Sequence, residues 1–590
     1  MLSTLLKQVG QYKRSTILTP LFAALEVLME AIIPLVTARL IDEGINATGG
    51  TPDMAMIWRY GGMMIGLALL SLLFGVLAAY TAADASTGFA ANLRGAMYRS
   101  IQRFSFSNID RFSAAGLVTR MTTDVTNIQN AFQMLLRIAV RAPLTLITSL
   151  VMCFSISVKL SGVFGVAVVF LAVVLSIIIA RAMGLFQAAF KQYDQLNASV
   201  QENVSAIRVV KAFVREDFEN SKFFRAAEKL CNLFLKAEYT VAATAPVMML
   251  VIYGAMTALS WFGAQMIVGG ELTTGELTSL FTYVMSVMMA LMMLAMIFVM
   301  LTMSLASAKR VTEVLTEQPD ITNPEHPVTE VEDGSIRFEH VTFTYRHGAG
   351  EPVLRDIDLD IRSGETIGLV GSTGSGKSTL VSLISRLYDV DSGSVSVGGQ
   401  DVRAYDLDEL RSRVAVVLQK NELFSGSILD NLRWGDPDAT EEQCIEACRL
   451  ACADDFISRM PDGYNTHIEQ GGTNVSGGQK QRLCIARALL KKPKVLILDD
   501  STSAVDTATD ASIRKAMAES IPGVTKIIIA QRVHSVMQAD RIAVLDNGQL
   551  AAFGTHDELM QTSPIYQEMV RTQTEGGGDF DEAMKERDAQ

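Results

Sequence analysis

The stretch "GETIGLVGSTGSGKSTLVSLI" (364–384) decides the architecture of the second half of the chain. It opens as an apolar run of strand type and passes through Gly371, Ser372, Thr373, Gly374, Ser375, Gly376, Lys377, Ser378 and Thr379 into a helix-forming run. A G-x4-G-K-S between a strand and a helix is the phosphate-binding loop of an α/β nucleotide-handling domain. Its glycines let backbone N–H groups wrap phosphate oxygens, and the helix N-terminus adds its positive end. Lys377 is placed to reach the β- and γ-phosphates, and Ser378 to ligate Mg2+.

A second stretch, "VLILDDSTSAVD" (495–506), reads as a buried strand that delivers two carboxylates to its C-terminal end. Asp499 falls where a metal ligand is needed beside the phosphate loop. Asp500 stands where a water-activating acid is needed, one methylene shorter than a Glu. Between the two motifs, in "NVSGGQKQRLCIARAL" (474–489), Ser476, Gly477, Gly478 and Gln479 open a helix, a further anion-ready N-terminus. One nucleotide cannot easily use two such termini within one domain. The second is therefore free to clamp the γ-phosphate of a nucleotide held by another subunit.

The first 308 residues are of a different kind. A chain of 590 residues is too long for one core, and its 49% apolar and 19% charged residues are unevenly spread. Six segments, roughly 17–40, 60–83, 137–158, 160–182, 241–268 and 276–304, have the ~20 predominantly apolar residues that a membrane span needs. Residues 84–136 hold five arginines and 181–236 hold nine Lys or Arg, whereas 41–59 sets Asp42, Glu43 and Asp53 against Arg59. The loop at 269–276 carries only Glu271 and Glu276. Basic loops stay on the cytoplasmic side, which puts both termini of a multi-pass cell-membrane protein inside. No cleavable signal peptide is read, because the first apolar run is too long and lacks a small-residue cleavage site.

The net charge of −12 argues against nucleic acid as the main partner. The six cysteines show no disulfide framework. Cys444, Cys448 and Cys452 share one helix face but have no His or fourth Cys at ligand spacing, so they read as buried small residues.

The division expected is therefore a six-helix transmembrane domain over 1–316, a linker "EQPDITNPEHPVTEVEDG" (317–334), an α/β P-loop domain over 335–575 and a flexible tail over 576–590. Three features carry two readings each. Met285, Met289, Met292, Met296, Met300 and Met303 line one face of the sixth span, as an adaptable substrate surface or as lipid-facing packing. Glu26 and Glu30 share a face of the first span, either as ligands for a cationic compound or as residues that lie near a polar cavity or pair with Arg137 or Arg141. Phe213 in "VVKAFVREDFEN" (209–220) is either a plug for a soluble groove or local packing.

Together these motifs resemble those of ATP-binding cassette (ABC) transporters, and residues 1–575 resemble a bacterial half-transporter exporter. The resemblance implies ATP and Mg2+ as ligands. It implies that Tyr345 in "VTFTY" stacks on adenine, and that Gln419 in "VVLQKNELFSGSI" touches Mg2+ and senses the membrane domain. "NVSGGQ" matches the signature motif with Val475 in place of the usual Leu. "SAVD", ending at Asp506, matches the loop that crosses between subunits. The turns near 106–116 and 209–220 match the two coupling helices.

Two positions depart from the family pattern. Asp500 replaces the catalytic Glu, and Gln531 in "IIIAQRVHSV" replaces the switch His; His534, three residues on, is not in register. Both departures concern the ATP held by this chain's own Lys377, whereas the signature that acts on a partner's ATP is intact. Family members with this pair are typically one half of a heterodimeric multidrug exporter whose partner keeps the Glu and the His. The expectation is ATP-driven export of hydrophobic compounds, with a hydrolysis-impaired site in this chain. Lipid, glycolipid or peptide export, a homodimer in which Asp suffices, and a non-transporting ATP-dependent regulator are the alternatives. No peptidase domain precedes the first span, against a peptide-processing exporter.

Overall fold

The computed structural model describes residues 1–46, 52–345, 350–500 and 507–575. Asp506 and the tail over 576–590 lie outside the described residues. The chain divides into two compact units, one of Met1–Arg103 with Phe112–Glu317, the other of Phe104–Arg111 with the chain from Gln318 on.

The first unit is helical, and six of its helical stretches are long and apolar enough to cross a membrane: Gly10–Ile45, Met54–Gln102, Ala114–Ile156, Val158–Ser205, Glu216–Val268 and Thr274–Ile297. Small polar residues set where several helices begin. Asp53 accepts from the N–H groups of Ala55 and Met56, Ser157 from Leu160, and Thr273 forms a reciprocal capping box with Glu276. Inside the unit, Tyr283 and Ser279 donate to the carbonyls of Ala31 and Pro34, at 2.6 and 2.5 Å. Those bonds tie the last long helix to the first. Asp124, 1% exposed, accepts from Ser307 at 2.8 Å and from Arg310 Nε at 2.7 Å, so its buried charge is paired and hydrogen-bonded.

The second unit holds a six-stranded sheet in the order Gln549–Gly554, Arg541–Asp546, Thr366–Gly371, Thr525–Ile529, Val495–Asp499, Val414–Val417. All neighbours run parallel except the first pair. Alternate residues of one strand enter opposite cores: Leu496 and Leu498 join one apolar cluster, Val495 and Ile497 the other. A parallel sheet covered on both faces demands such continuously apolar strands. A separate four-stranded antiparallel sheet has the order Leu354–Ile361, Ile336–Phe343, Ser392–Val397, Gln400–Asp401. The segment Phe104–Arg111 belongs to this unit through Ser107, which donates to Asp320 at 2.6 Å, and Asn108, which donates to the Gln318 carbonyl at 3.3 Å.

Candidate functional site: a phosphate-loop cavity

Three adjacent parallel strands end on one line. Ile529 is in register with Asp499 on one side and with Leu369 on the other. The chain therefore leaves the sheet at the phosphate loop, at Asp500 and at Gln531 within a single neighbourhood, the C-terminal edge where parallel sheets bind ligands.

Gly371, Gly374 and Gly376 all have positive φ (154°, 86° and 97°). A Cβ on Gly371 would stand 2.2 Å from the Leu545 carbonyl oxygen, so only glycine fits there. Gly376 precedes the helix Lys377–Ile384 and offers no side-chain cap, which leaves the first N–H groups available to an anion. Lys377 Nζ lies inside the loop and donates to the carbonyls of Gly371 and Ser372 at 2.8 and 2.7 Å. Ser375 is 2% exposed, and among the described residues its Oγ has no hydrogen-bond partner, an orphaned donor in the phosphate cradle.

A cavity of about 1050 Å³ gathers Gly371, Thr373, Gly374, Gly376, Lys377, Ser378, Thr379, Gln419, Asp499, Asp500 and Gln531. Ser378 stands beside Asp499, and Gln419 beside Asp500. Ser378, Gln419 and Asp499 are an all-oxygen donor set suited to Mg2+, which would neutralise phosphate charge when bound. Burial pushes the Asp499 carboxyl above the usual range, against the Ser378 hydrogen bond and Lys377. Asp500 is raised by burial first and by the Asp499 charge second, offset by Gln419, Lys377 and Arg532.

Asp500 and Gln531 touch each other. Gln531 Nε2 donates to Asp500 Oδ2 at 2.9 Å. Asp500 itself has φ 45°, a left-handed conformation that Asp adopts more readily than longer side chains. The backbone thus supplies a local reason for the shorter acid, and the amide of Gln531 closes on it.

Tyr345 does not line the cavity, but its Oη lies 2.9 Å from Oγ1 of Thr379, which does. Tyr345 stands edge-on to Tyr388 with ring centroids 5.2 Å apart, and Tyr388 Oη donates to Asp110 at 2.8 Å. Ser476, Gly477, Gly478 and Gln479 are not among the lining residues. Ser476 caps the helix Gly477–Leu490 in a capping box with Gln479, and Ser476 and Gly477 are exposed. The cavity also draws on residues with no motif: Val353, Arg532, Val533, His534, Met537, Met569, Val570 and Gln573. His534, out of register in the sequence, shares the cavity all the same. Cys444 and Cys448 are fully buried in the core and Cys452 is half-buried; burial raises all three thiols, Cys448 to about 12.

Residues 16–292 match the family model of the ABC transporter transmembrane region, and residues 354–503 that of the ABC transporter. The chain is 38% identical over 580 residues to an uncharacterized ABC transporter ATP-binding protein of Mycobacterium tuberculosis, covering 97% of this chain and 98% of that one. A multidrug efflux ATP-binding/permease protein of M. tuberculosis is 34% identical over 91% of this chain and 44% of its own length. A fatty acid ABC transporter ATP-binding/permease protein of Mycobacterium bovis is 33% identical over 81% of this chain and 75% of its own. The fold is similar to that of a bacterial Atm1-family ABC exporter solved with ATP bound, at a TM-score of 0.81 and 24% identity over 96% of this chain and 99% of that chain. The chain belongs to the ABC transporter family and carries its transmembrane region and its transport-coupled ATPase domain in one polypeptide.

Proposed function

We propose that this chain is one half of a heterodimeric exporter of hydrophobic or amphipathic compounds in the bacterial cell membrane, with both termini cytoplasmic, and that its own ATP site holds Mg2+–ATP but hydrolyses it slowly. The observation that carries the reading is the Asp500–Gln531 pair. Asp draws its carboxylate back by one methylene, about 1.5 Å. A displacement on that scale can cost on the order of 100-fold in rate. The bond from Gln531, which has no charge to lend, engages one of the oxygens that would otherwise take a proton from water. Lys377, Ser378 and Asp499 keep the binding chemistry, while Asp500 and Gln531 alter the water-activating chemistry. Ser476 to Gln479 are left to act on the partner's ATP.

Export of compounds such as drugs is supported by the likeness to the multidrug efflux protein and by four exposed methionines on one face of Thr274–Thr316. Fatty acid or other lipid export is the second reading, supported by the likeness to the fatty acid transporter. Vesicles containing this chain and its partner, loaded with a fluorescent hydrophobic cation or a labelled fatty acid, separate the two. ATP-dependent movement of the cation supports the first reading and movement of the fatty acid alone the second. Movement of neither would overturn both.

A further inference from the structure

The backbone on either side of Arg532, next to Gln531, is held by the side chain of Gln573. Val533 N donates to Gln573 Oε1 at 2.8 Å, and Gln573 Nε2 donates to the Gln531 carbonyl at 2.9 Å. Arg532 between them is extended, with φ −99° and ψ 121°. A carbonyl followed two residues later by an N–H on the same side of extended backbone is the edge that a neighbouring strand would take. The Gln573 carboxamide fills that edge as a one-rung strand partner, because it carries both an acceptor and a donor. An ionised Glu has no donor for the Gln531 carbonyl, and an apolar residue has neither group.

Gln573 is itself well placed to hold. It sits on Pro564–Glu575, anchored by Tyr566 and Met569, which are 0% and 3% exposed. His556 Nδ1 lies 2.8 Å from Tyr566 Oη. Gln573 also lines the cavity that contains Lys377 and Asp500.

We propose that Gln573 is a positioning residue for the γ-phosphate side of this site. By gripping the backbone on both sides of Arg532 it sets where Gln531 stands against Asp500, and so how long ATP is retained on this chain's phosphate loop. This rests on the reading of Asp500 and Gln531 as the pair that faces the γ-phosphate.

The test uses the full-length assembled transporter with Gln573→Met, which keeps the length and apolar packing but removes both hydrogen bonds, and with Gln573→Ala. Hydrogen exchange of the amides over 531–535 is measured without nucleotide. Release of radiolabelled azido-ATP from this chain is followed by photo-crosslinking after a chase. Both variants are expected to speed the exchange roughly tenfold and to shorten ATP retention by a similar factor, with melting temperature unchanged. Wild-type behaviour of Gln573→Met beside a defective Gln573→Ala would show that the side chain merely fills space, and would overturn the proposal. Unchanged exchange, or faster exchange with unchanged retention, would overturn it as well. Asp500→Asn measured alongside separates the two claims. Retention altered there but not in Gln573→Met sinks the role of Gln573 alone, and retention unaltered in both sinks the reading of the site with it.

Discussion

Lys377 is the residue on which the proposed nucleotide binding most depends; its ammonium is held inside the loop by the carbonyls of Gly371 and Ser372. A neutral side chain cannot supply that charge to a phosphate. Lys377→Ala should abolish azido-ATP labelling of this chain while the partner's site still labels; equal loss at both sites would contradict the division of labour. Asp500 yields a pH-dependent expectation. Its carboxyl is raised by burial and by Asp499, so its ionised form destabilises the fold at neutral pH and its protonated form does not. Asp500→Asn should therefore melt above the wild type near neutral pH, by about 2 °C. That difference should shrink as pH falls through the raised pKa. A difference that grew towards acid would refute the assignment. At this scale the motif residues were legible in the sequence, because phosphate and metal chemistry demand fixed residue types at fixed spacing. The Asp500–Gln531 bond was not, because it depends on the rung that aligns Ile529 with Asp499. Gln573 was invisible for a simpler reason: a lone Gln on an amphipathic helix carries no spacing signal.

Among the helices, apolar runs mark the spans but not the helix ends. The apolar run over 60–83 marks the second span, and the helix that carries it runs from Met54 to Gln102. Hydropathy reports the membrane-facing portion, and polar residues continue the same helix beyond it. The periodic methionines are a period-3.6 signal that survived folding. Met285, Met289, Met292 and Met296 are all exposed on one face, while Met288 is buried. The side chain of Met303 lies outside the described residues. Replacing Met289, Met292 and Met296 with Ala should change the substrate spectrum more than basal ATPase, as measured by transport of a panel of hydrophobic cations. An unchanged spectrum would assign the stripe to packing or lipid contact. Between Glu26 and Glu30 on one side and the two candidate arginines on the other, the structure selects Arg141, at 2.5 Å from Glu26 Oε1 and 2.9 Å from Glu30 Oε1. Glu26 is 6% exposed, so removing its partner leaves a buried unpaired charge. Arg141→Ala should cost about 3–5 kcal/mol, seen as a fall in thermal stability, and adding Glu26→Gln should recover much of it. Full stability in the single variant would show that the pair carries no such load.

For the whole molecule, the two-part architecture was legible because an apolar half and a P-loop half obey different composition rules. Phe213 is 73% exposed, as the plug expected for a soluble groove would be. In the proposed heterodimer, residues of a second chain complete each ATP site. The central claim is that the two sites of the assembled transporter are unequal because of Asp500 and Gln531. The partner is expected to carry Glu at the position equivalent to Asp500 and His at the switch position, and its own signature, which faces Lys377 here, is the one free to drift. Steady-state ATPase of the co-purified pair tests this most directly. Changing the partner's Glu to Gln should stop nearly all turnover, by about 100-fold or more. Asp500→Asn in this chain should leave most of it. Equal losses from the two substitutions, or full activity from this chain purified alone, would contradict the account.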